Sequence, residues 1–315
     1  MSFFNIILAI GRGRGSTPTD PNDFIPVIFE LSQSNGGQAE AGRISLTEQI
    51  VAAGLTKMTY TEAPSNCRIW DKPEMDLIDD GVMEDIVAGV NTSQYNQARY
   101  NFETVCGAEM SLAPLLKKDS PNKSYYIKAM RGGSPLFQMP PTDDRPEDWN
   151  ANSVNDLLDI ALNFYAAPAI RQIIIENPGK QIKVALLRHQ GESDNLDEER
   201  AAYYVNTTDF LNKIRNFQID GVKYFENSPF LDTYLYYEPT QNQEILMNGV
   251  KEQFANDNAN CYMIDIRNQP RKKDCTAAQL GGVPDSKARN EHGSYLTQLQ
   301  KGENAYDVLK SISWI

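Results

Sequence analysis

The stretch that decides the fold runs from Ile25 to Arg43 and reads IPVIFELSQSNGGQAEAGR. Its apolar first part predicts a buried strand, and the polar residues and glycine pair that follow predict a tight turn leading into a helix. In open α/β sheets, ligands bind just beyond the carboxyl ends of such strands. The hydroxyl of Ser34 is therefore predicted to project from a strand tip at the ligand-binding edge of the sheet.

Strand and helix patterns alternate along the rest of the chain. The clearest predicted strands are Ser124–Met130, Gln181–Leu187, Phe230–Tyr237 and Cys261–Ile266, and the clearest predicted helices are Glu198–Phe217, Asn242–Asn256 and Leu296–Ile312. Such alternation is typical of a parallel sheet with helices on both faces. A chain of 315 residues suits one large α/β domain of this kind.

Two further segments carry a helical pattern. Apolar residues recur at helical spacing from Val154 to Glu176, although Pro168 is expected to break or kink that helix. A helix is also predicted within Glu74 to Val90, in a region rich in turn residues.

The beginning of the chain has a different character. Residues 1–23 are predicted to form an arm, ending in the linker Ser16 to Asn22, that docks on a partner, and residues 24–315 form the main domain. The short apolar run near Met1 has no positive residues before it, so it makes a poor signal peptide. We expect a cytoplasmic or virion-associated protein rather than a secreted one.

Composition excludes several classes of function. The net charge of -12 argues against binding to nucleic acid or to an anionic membrane, because both need clustered Lys and Arg. No run of about 18 apolar residues is present, so no membrane span is predicted. The four cysteines show no CxxC spacing, and no metal site or cofactor is expected.

Polar clusters follow three of the predicted strands, where a parallel sheet presents its ligand-binding edge. They are Gln33-Ser34-Asn35, Arg131-Gly132-Gly133-Ser134 and His189-Gln190-Gly191-Glu192, and a fourth cluster, Asn290-Glu291-His292, comes late in the chain. A nucleophilic serine needs an imidazole to take its proton. The chain has two histidines, so the candidate bases are His189 and His292.

These motifs resemble those of the SGNH/GDSL hydrolase superfamily. The blocks that carry the resemblance are Ser32-Gln33-Ser34-Asn35, Gly107-Ala108-Glu109, His189-Gln190-Gly191-Glu192 and the late His292, with the HQGESD match being the most specific. They are similar to the GQSN, GxE, HQGE and DxxH blocks of carbohydrate esterases of the acetylxylan esterase and sialate O-acetylesterase type. The resemblance spans the chain from about Ile25 onward and implies a three-layer α/β/α sandwich with a short parallel sheet.

The resemblance also implies an activity and a set of roles. The protein would be a serine esterase that removes O-acetyl groups from a carbohydrate through an acyl-enzyme. Ser34 would be the nucleophile and His292 the base, with the oxyanion hole formed by the N–H groups of Ser34 and Gly107 and by the Gln190 side chain. We expect Asn35, Arg131 and His189 to line the substrate site, the last as a positioning group beside Gln190.

Two departures from the family pattern leave alternatives open. Ser32 stands where the family has Gly, and Arg289 stands three residues before His292, where the family has the acid that orients the base. Either Asp285, displaced by a loop insertion, or Glu192 of the HQGE block is the candidate acid. The alternative function is a non-catalytic structural or glycan-binding module, such as a phage tail component that retains the hydrolase fold.

Overall fold

The computed structural model describes residues 24–32, 39–40, 67–72, 81–86, 105–120, 122–140, 147–154, 157–194, 196–235, 242–267 and 295–315. The strands are β1 (Phe24–Ser32), β2 (Ala39–Glu40), β3 (Cys67–Asp71), β4 (Val82–Asp85), β5 (Val105–Cys106), β6 (Ser124–Met130), β7 (Gln181–His189), β8 (Phe230–Thr233) and β9 (Cys261–Ile264). The helices are α1 (Glu109–Asp119), α2 (Leu157–Glu176), α3 (Asp197–Asn216), α4 (Asn242–Asp257) and α5 (Tyr295–Ser311). The predicted arm, residues 1–23, lies outside the described residues.

A seven-stranded sheet organises these elements, in the order β4-β3-β6-β1-β7-β8-β9. Every neighbouring pair is parallel except β3 and β4, which are antiparallel. Strands β2 and β5 form a separate antiparallel pair. The prediction of a mixed α/β fold built on a mostly parallel sheet is confirmed.

Two apolar clusters lie on opposite faces of β1. Val27, Phe29 and Leu31 pack in one cluster with residues of α2, α3 and α4, whereas Ile28 belongs to a second cluster with residues of α1 and α5. Successive side chains of a strand point to opposite faces, so a strand that is apolar throughout needs cover on both sides. All nine residues of β1 are buried, which explains why apolar residues occupy both faces of this strand, with Glu30 and Ser32 as its buried polar residues.

Helix α2 accommodates Pro168 without breaking. Its first turn is α-helical, Ala161–Ala166 is π-helical, and Ala167–Glu176 is α-helical again. The Ala167 N–H donates to the carbonyl of Leu162, five residues back, and Pro168 has no N–H to donate. The expected break is thus replaced by a widened turn, as π-helical insertions provide. Length and composition alone would let α2 span a membrane, but most of its apolar residues pack in the buried cluster on the sheet, and Ile174 and Ile175 are exposed.

The helix predicted within Glu74 to Val90 is wrong where the structure describes that segment. Val82–Asp85 forms the edge strand β4, whose side chains are mostly exposed. Pairing with β3 overrides the local helical pattern, because the edge of the sheet supplies main-chain partners that the sequence of the segment does not reveal.

A buried ion pair joins the central strand to the last helix. Glu30 lies in β1 on the same face as Ile28, and Lys301 Nζ donates to its Oε1 atom at 2.6 Å. Tyr126 donates its hydroxyl to Oε2 at 2.5 Å, and Ser32 Oγ donates to Oε1 at 3.2 Å. Burial acts to raise the pKa of Glu30, but the charges of Lys301 and Lys128 outweigh it and lower that pKa. Glu30 is therefore a carboxylate in the core.

We expect Lys301→Met to lower the free energy of unfolding by about 3–5 kcal/mol, since removing one partner leaves the other charge buried. Urea unfolding monitored by circular dichroism measures this loss. Lys310→Met is the matched control, because Lys310 lies on the same helix and forms an exposed pair with Asp119. Equal effects of the two substitutions would contradict a structural role for the buried pair.

Candidate active site at the strand tips

Three strand tips meet at one edge of the sheet. Ser32 at the end of β1 lies level with Met130 of β6 on one side and with His189 of β7 on the other. The three strands therefore end side by side; of the polar clusters predicted to follow them, those that begin at Arg131 and His189 lie in the described residues, and Gln33-Ser34-Asn35 does not. Adjacent parallel strands whose connections leave in opposite directions form the usual ligand crevice of such sheets.

The predicted site residues divide into two groups. Ser34, Asn35, Asp285 and His292 lie outside the described residues, so their roles stay predictions. The described residues include the other five, which are Gly107, Arg131, His189, Gln190 and Glu192.

His189 and Glu192 form a pair within one turn. His189 Nε2 lies 2.5 Å from Glu192 Oε1, and the imidazole is fully buried. Burial acts to raise the pKa of Glu192, but the neighbouring charge and hydrogen bond of His189 outweigh it and lower that pKa to about 2. Among the described residues, His189 Nδ1 and Glu192 Oε2 have no hydrogen-bond partner. The candidate acid Glu192 is thus already paired with His189.

The turn between these two residues requires glycine. Gly191 has a φ of +121°, a conformation that residues with a side chain rarely adopt. A Cβ atom there would lie 3.3 Å from Met247 Cγ and from the Tyr203 hydroxyl, and 3.4 Å from Leu235 Cδ1. The chain turns tightly at this point because no side chain intervenes.

Gln190 is held by the neighbouring loop. Its Nε2 atom donates to the carbonyl of Ser134 at 2.6 Å, which orients the amide with its nitrogen toward the loop after β6. The Oε1 atom is buried and has no hydrogen-bond partner in the described ranges. An amide nitrogen carries two hydrogens, and Asp194 also receives a hydrogen bond from the Gln190 side chain, so an oxyanion would compete with Asp194 for the second one.

Asp194 joins the same two loops, and no sequence pattern indicated this role. Its carboxylate accepts the N–H of Leu136 at 2.9 Å and that of Phe137 at 2.7 Å. Burial raises the pKa of Asp194 to about 6, against the opposing hydrogen bonds from these N–H groups and from Gln190. The loops after β6 and β7 therefore form one bonded unit.

Gly107 lies at the start of α1 with its N–H already engaged. That N–H donates to Glu109 Oε1 at 2.6 Å, and Lys128 Nζ binds Glu109 Oε2 at 3.1 Å. Both charged side chains are buried. Burial raises the pKa of Glu109, while the charge of Lys128 opposes that rise. The GxE block thus folds its acid back onto its own glycine.

Arg131 is exposed at the rim and forms an ion pair with Glu147. It follows β6 directly and its charge is largely matched by Glu147, and its role in lining the site stays a prediction. Within the part of the chain that the structure describes, no three His, Cys, Asp or Glu side chains are grouped so as to hold a metal ion.

Solved structures of similar fold are known. A protein from Arabidopsis thaliana is 16% identical over 90% of this chain and 98% of its own, with a TM-score of 0.55. NanS is 14% identical over 93% of this chain and 98% of its own, with a TM-score of 0.59. A carbohydrate acetylesterase from Xanthomonas citri matches less well, at 14% identity over 76% of this chain and 49% of its own, with a TM-score of 0.46.

At these identities, the likeness to the first two structures describes the fold alone. No protein-family model matches this sequence, and no curated protein sequence does so either. The chain is therefore similar in fold to NanS and to the Arabidopsis protein over nearly the whole length of each.

We expect Gly191→Ala to lower the free energy of unfolding by about 1–3 kcal/mol, because alanine is strained at this φ and its Cβ crowds three side chains. Thermal or urea unfolding measures the change. Gly249→Ala in α4 is the control: a Cβ there meets nothing within 4 Å, so it should stabilise the helix by about 0.5–1 kcal/mol. Similar losses in both variants would mean that the turn has no special requirement.

Glu192→Gln is expected to flatten the pH dependence of stability between about pH 4.5 and about pH 2. Folding lowers the pKa of Glu192 to about 2, so the unfolded chain binds more protons in this window. The resulting stabilisation, about 3 kcal/mol, is complete above the window and is lost as the pH falls through it.

Urea unfolding of the wild type and of Glu192→Gln at several pH values in this window tests the expectation. Glu198→Gln, at an exposed position in the first turn of α3, is the matched control and should keep the wild-type pH dependence. An unchanged slope in Glu192→Gln would rule out the ion pair with His189.

Proposed function

We propose that this protein is a serine esterase that removes O-acetyl groups from a carbohydrate, built on a three-layer α/β/α sandwich of the SGNH type with a short parallel sheet. The observation that carries the proposal is the register of the strand tips. Ser34 comes two residues after Ser32, and Ser32 lies level with His189, directly before Gln190. In the sequence, the proposed nucleophile thus comes two residues after the end of β1, and the proposed amide donor comes directly after the end of the adjacent strand β7.

The proposed reaction has two steps. Ser34 Oγ attacks the acetyl carbonyl carbon while His292 takes the hydroxyl proton, and the resulting oxyanion accepts hydrogen bonds from the Ser34 N–H and the Gln190 amide. The carbon–oxygen bond to the sugar breaks, His292 returns the proton to the sugar oxygen, and an acetyl-enzyme remains. Water, deprotonated by His292, then attacks the acetyl carbon; the bond from that carbon to Ser34 Oγ breaks, His292 returns the proton to Ser34 Oγ, and acetate leaves.

Asp285 is proposed as the acid that orients His292, with Glu192 as the alternative. One oxygen of Glu192 is already 2.5 Å from His189 Nε2, which supports a separate role for this carboxylate. His189, in turn, is proposed to position Gln190 rather than to act as the base. Asn35 and Arg131 are proposed to contact the sugar, and the reaction needs no cofactor.

A second candidate function is a non-catalytic structural or glycan-binding module, such as a virion component that docks through residues 1–23. The observation that favours it concerns Gly107. Its single N–H donates to Glu109, which Lys128 also binds, so this predicted oxyanion donor is occupied by the protein itself. In addition, Arg289 replaces the acid of the family pattern.

We expect the wild type to hydrolyse p-nitrophenyl acetate and to release acetate from an O-acetylated sugar. Ser34→Ala and His292→Ala should each lower kcat by at least about 10³-fold, because each removes a member of the nucleophilic machinery. Gln190→Ala should lower kcat by about 10²–10³-fold through the loss of an oxyanion donor. Ser32→Ala is the matched control, since Ser32 Oγ donates to Glu30 in the core, and it should stay active.

The same assay identifies the acid. If Asp285 orients His292, then Asp285→Asn lowers kcat more than Glu192→Gln does, and the reverse order would assign the role to Glu192. A folded wild type without esterase activity on either substrate, or activity indifferent to Ser34→Ala, would overturn the esterase and favour the non-catalytic module.

A further inference from the structure

The main-chain carbonyl of Gln190 accepts hydrogen bonds from two buried side chains. Tyr203 donates its hydroxyl at 3.1 Å from α3, and Lys251 donates its ammonium at 2.8 Å from α4. Each of these side chains is 1% exposed. Two helices that contribute no residue to the predicted catalytic blocks therefore converge on one peptide group of the HQGE turn.

Lys251 is buried at a considerable desolvation penalty, which further contacts offset. Burial lowers its pKa, and the charge of Asp232, whose Oδ1 lies 3.2 Å from Nζ, opposes this change. Asp232 Oδ2 also binds Arg188 Nη2 at 2.6 Å, and these two residues lie opposite each other on β8 and β7. Lys251, Asp232 and Arg188 thus form a charged cluster that is attached to β7 and β8, the two strands beside the turn.

Arg188 of this charged cluster also contacts aromatic side chains. Its guanidinium lies 5.4 Å from the ring centre of Tyr203 and 4.8 Å from that of Phe230, within the range of cation–π attraction. Tyr203 therefore contacts the cluster with its ring and the turn with its hydroxyl. Its hydroxyl would also be one of the first atoms met by a Cβ at Gly191.

We infer that Tyr203 and Lys251 are positioning residues for the Gln190 amide; this inference rests on the proposed esterase function. Holding the Gln190 carbonyl restrains the peptide plane between Gln190 and Gly191, and so the main chain from which the Gln190 side chain extends. The Ser134 carbonyl then holds the amide nitrogen from the other end at 2.6 Å. An oxyanion donor is effective only when it is held in place before the charge develops.

Tyr203→Phe tests the inference with little disturbance, because the ring and its contact with Arg188 are retained. We expect kcat for p-nitrophenyl acetate to fall by about 10-fold with KM unchanged, since a displaced oxyanion donor affects only the transition state. Tyr165→Phe is the matched control: Tyr165 is equally buried and donates its hydroxyl to the Lys72 carbonyl in another part of the core. It should keep the wild-type kcat.

A double-mutant cycle separates positioning from general stability. In a Gln190→Ala background, Tyr203→Phe should cause no further loss of kcat, because the group that it positions is absent. Lys251→Met, if it folds, should likewise cause no further loss of kcat in the Gln190→Ala background. If Lys251→Met does not fold, the result for Tyr203→Phe alone tests the inference. Additive losses in the cycle, or equal kcat values for Tyr203→Phe and Tyr165→Phe, would overturn the inference.

Failure of the proposed function gives a different result. If the wild type is inactive, or if Gln190→Ala keeps the wild-type kcat, then Gln190 is not an oxyanion donor. Tyr203 and Lys251 would then have no such donor to position. Loss of kcat in Gln190→Ala together with wild-type kcat in Tyr203→Phe would leave the esterase standing and overturn the inference alone.

Discussion

The register of three parallel strands is the constraint on which the rest of the structure depends. Ser32 lies level with both Met130 and His189, so β6, β1 and β7 end together and their following loops share one edge. A shift of one residue in either pairing would turn the buried face of a strand toward the opposite side of the sheet. Because both faces of β1 are packed, such a shift would disrupt two apolar clusters at once.

Buried charges then fix the strand tips in finer detail. Glu109 and Lys128 hold the Gly107 N–H, and Lys251 holds the Gln190 carbonyl. Ion pairs of this kind are often no more stabilising than well-packed apolar side chains, because desolvation offsets their attraction. Their contribution here is directional: each pair holds one main-chain atom, the Gly107 nitrogen or the Gln190 oxygen. Apolar replacements would fill the same volume without specifying where that atom lies.

Local patterns predicted most of the regular structure, and long-range contacts explain what they missed. The strand Ser124–Met130 and the helices α3, α4 and α5 match their predicted bounds to within a residue. Edge strand β4 depends on pairing with β3, which no local pattern encodes. The contacts of Tyr203 and Lys251 with the Gln190 carbonyl have the same origin, since these residues lie 13 and 61 positions from Gln190 in the sequence.

The two candidate functions differ in how many hydrogen-bond donors are available to bind an oxyanion. A backbone N–H carries one hydrogen, so Gly107 cannot serve both Glu109 and an oxyanion, and Lys128 holds Glu109 in place. An amide nitrogen carries two, so Gln190 can bind Ser134 and still donate to a second acceptor, for which Asp194 and an oxyanion would compete. A hole made of Gln190 and the Ser34 N–H therefore lacks one donor of the family pattern, a difference of about 3–4 kcal/mol in transition-state stabilisation. In the proposed esterase, such a hole would depend more strongly on the fixed orientation of Gln190, which the buried Lys251 is inferred to help maintain.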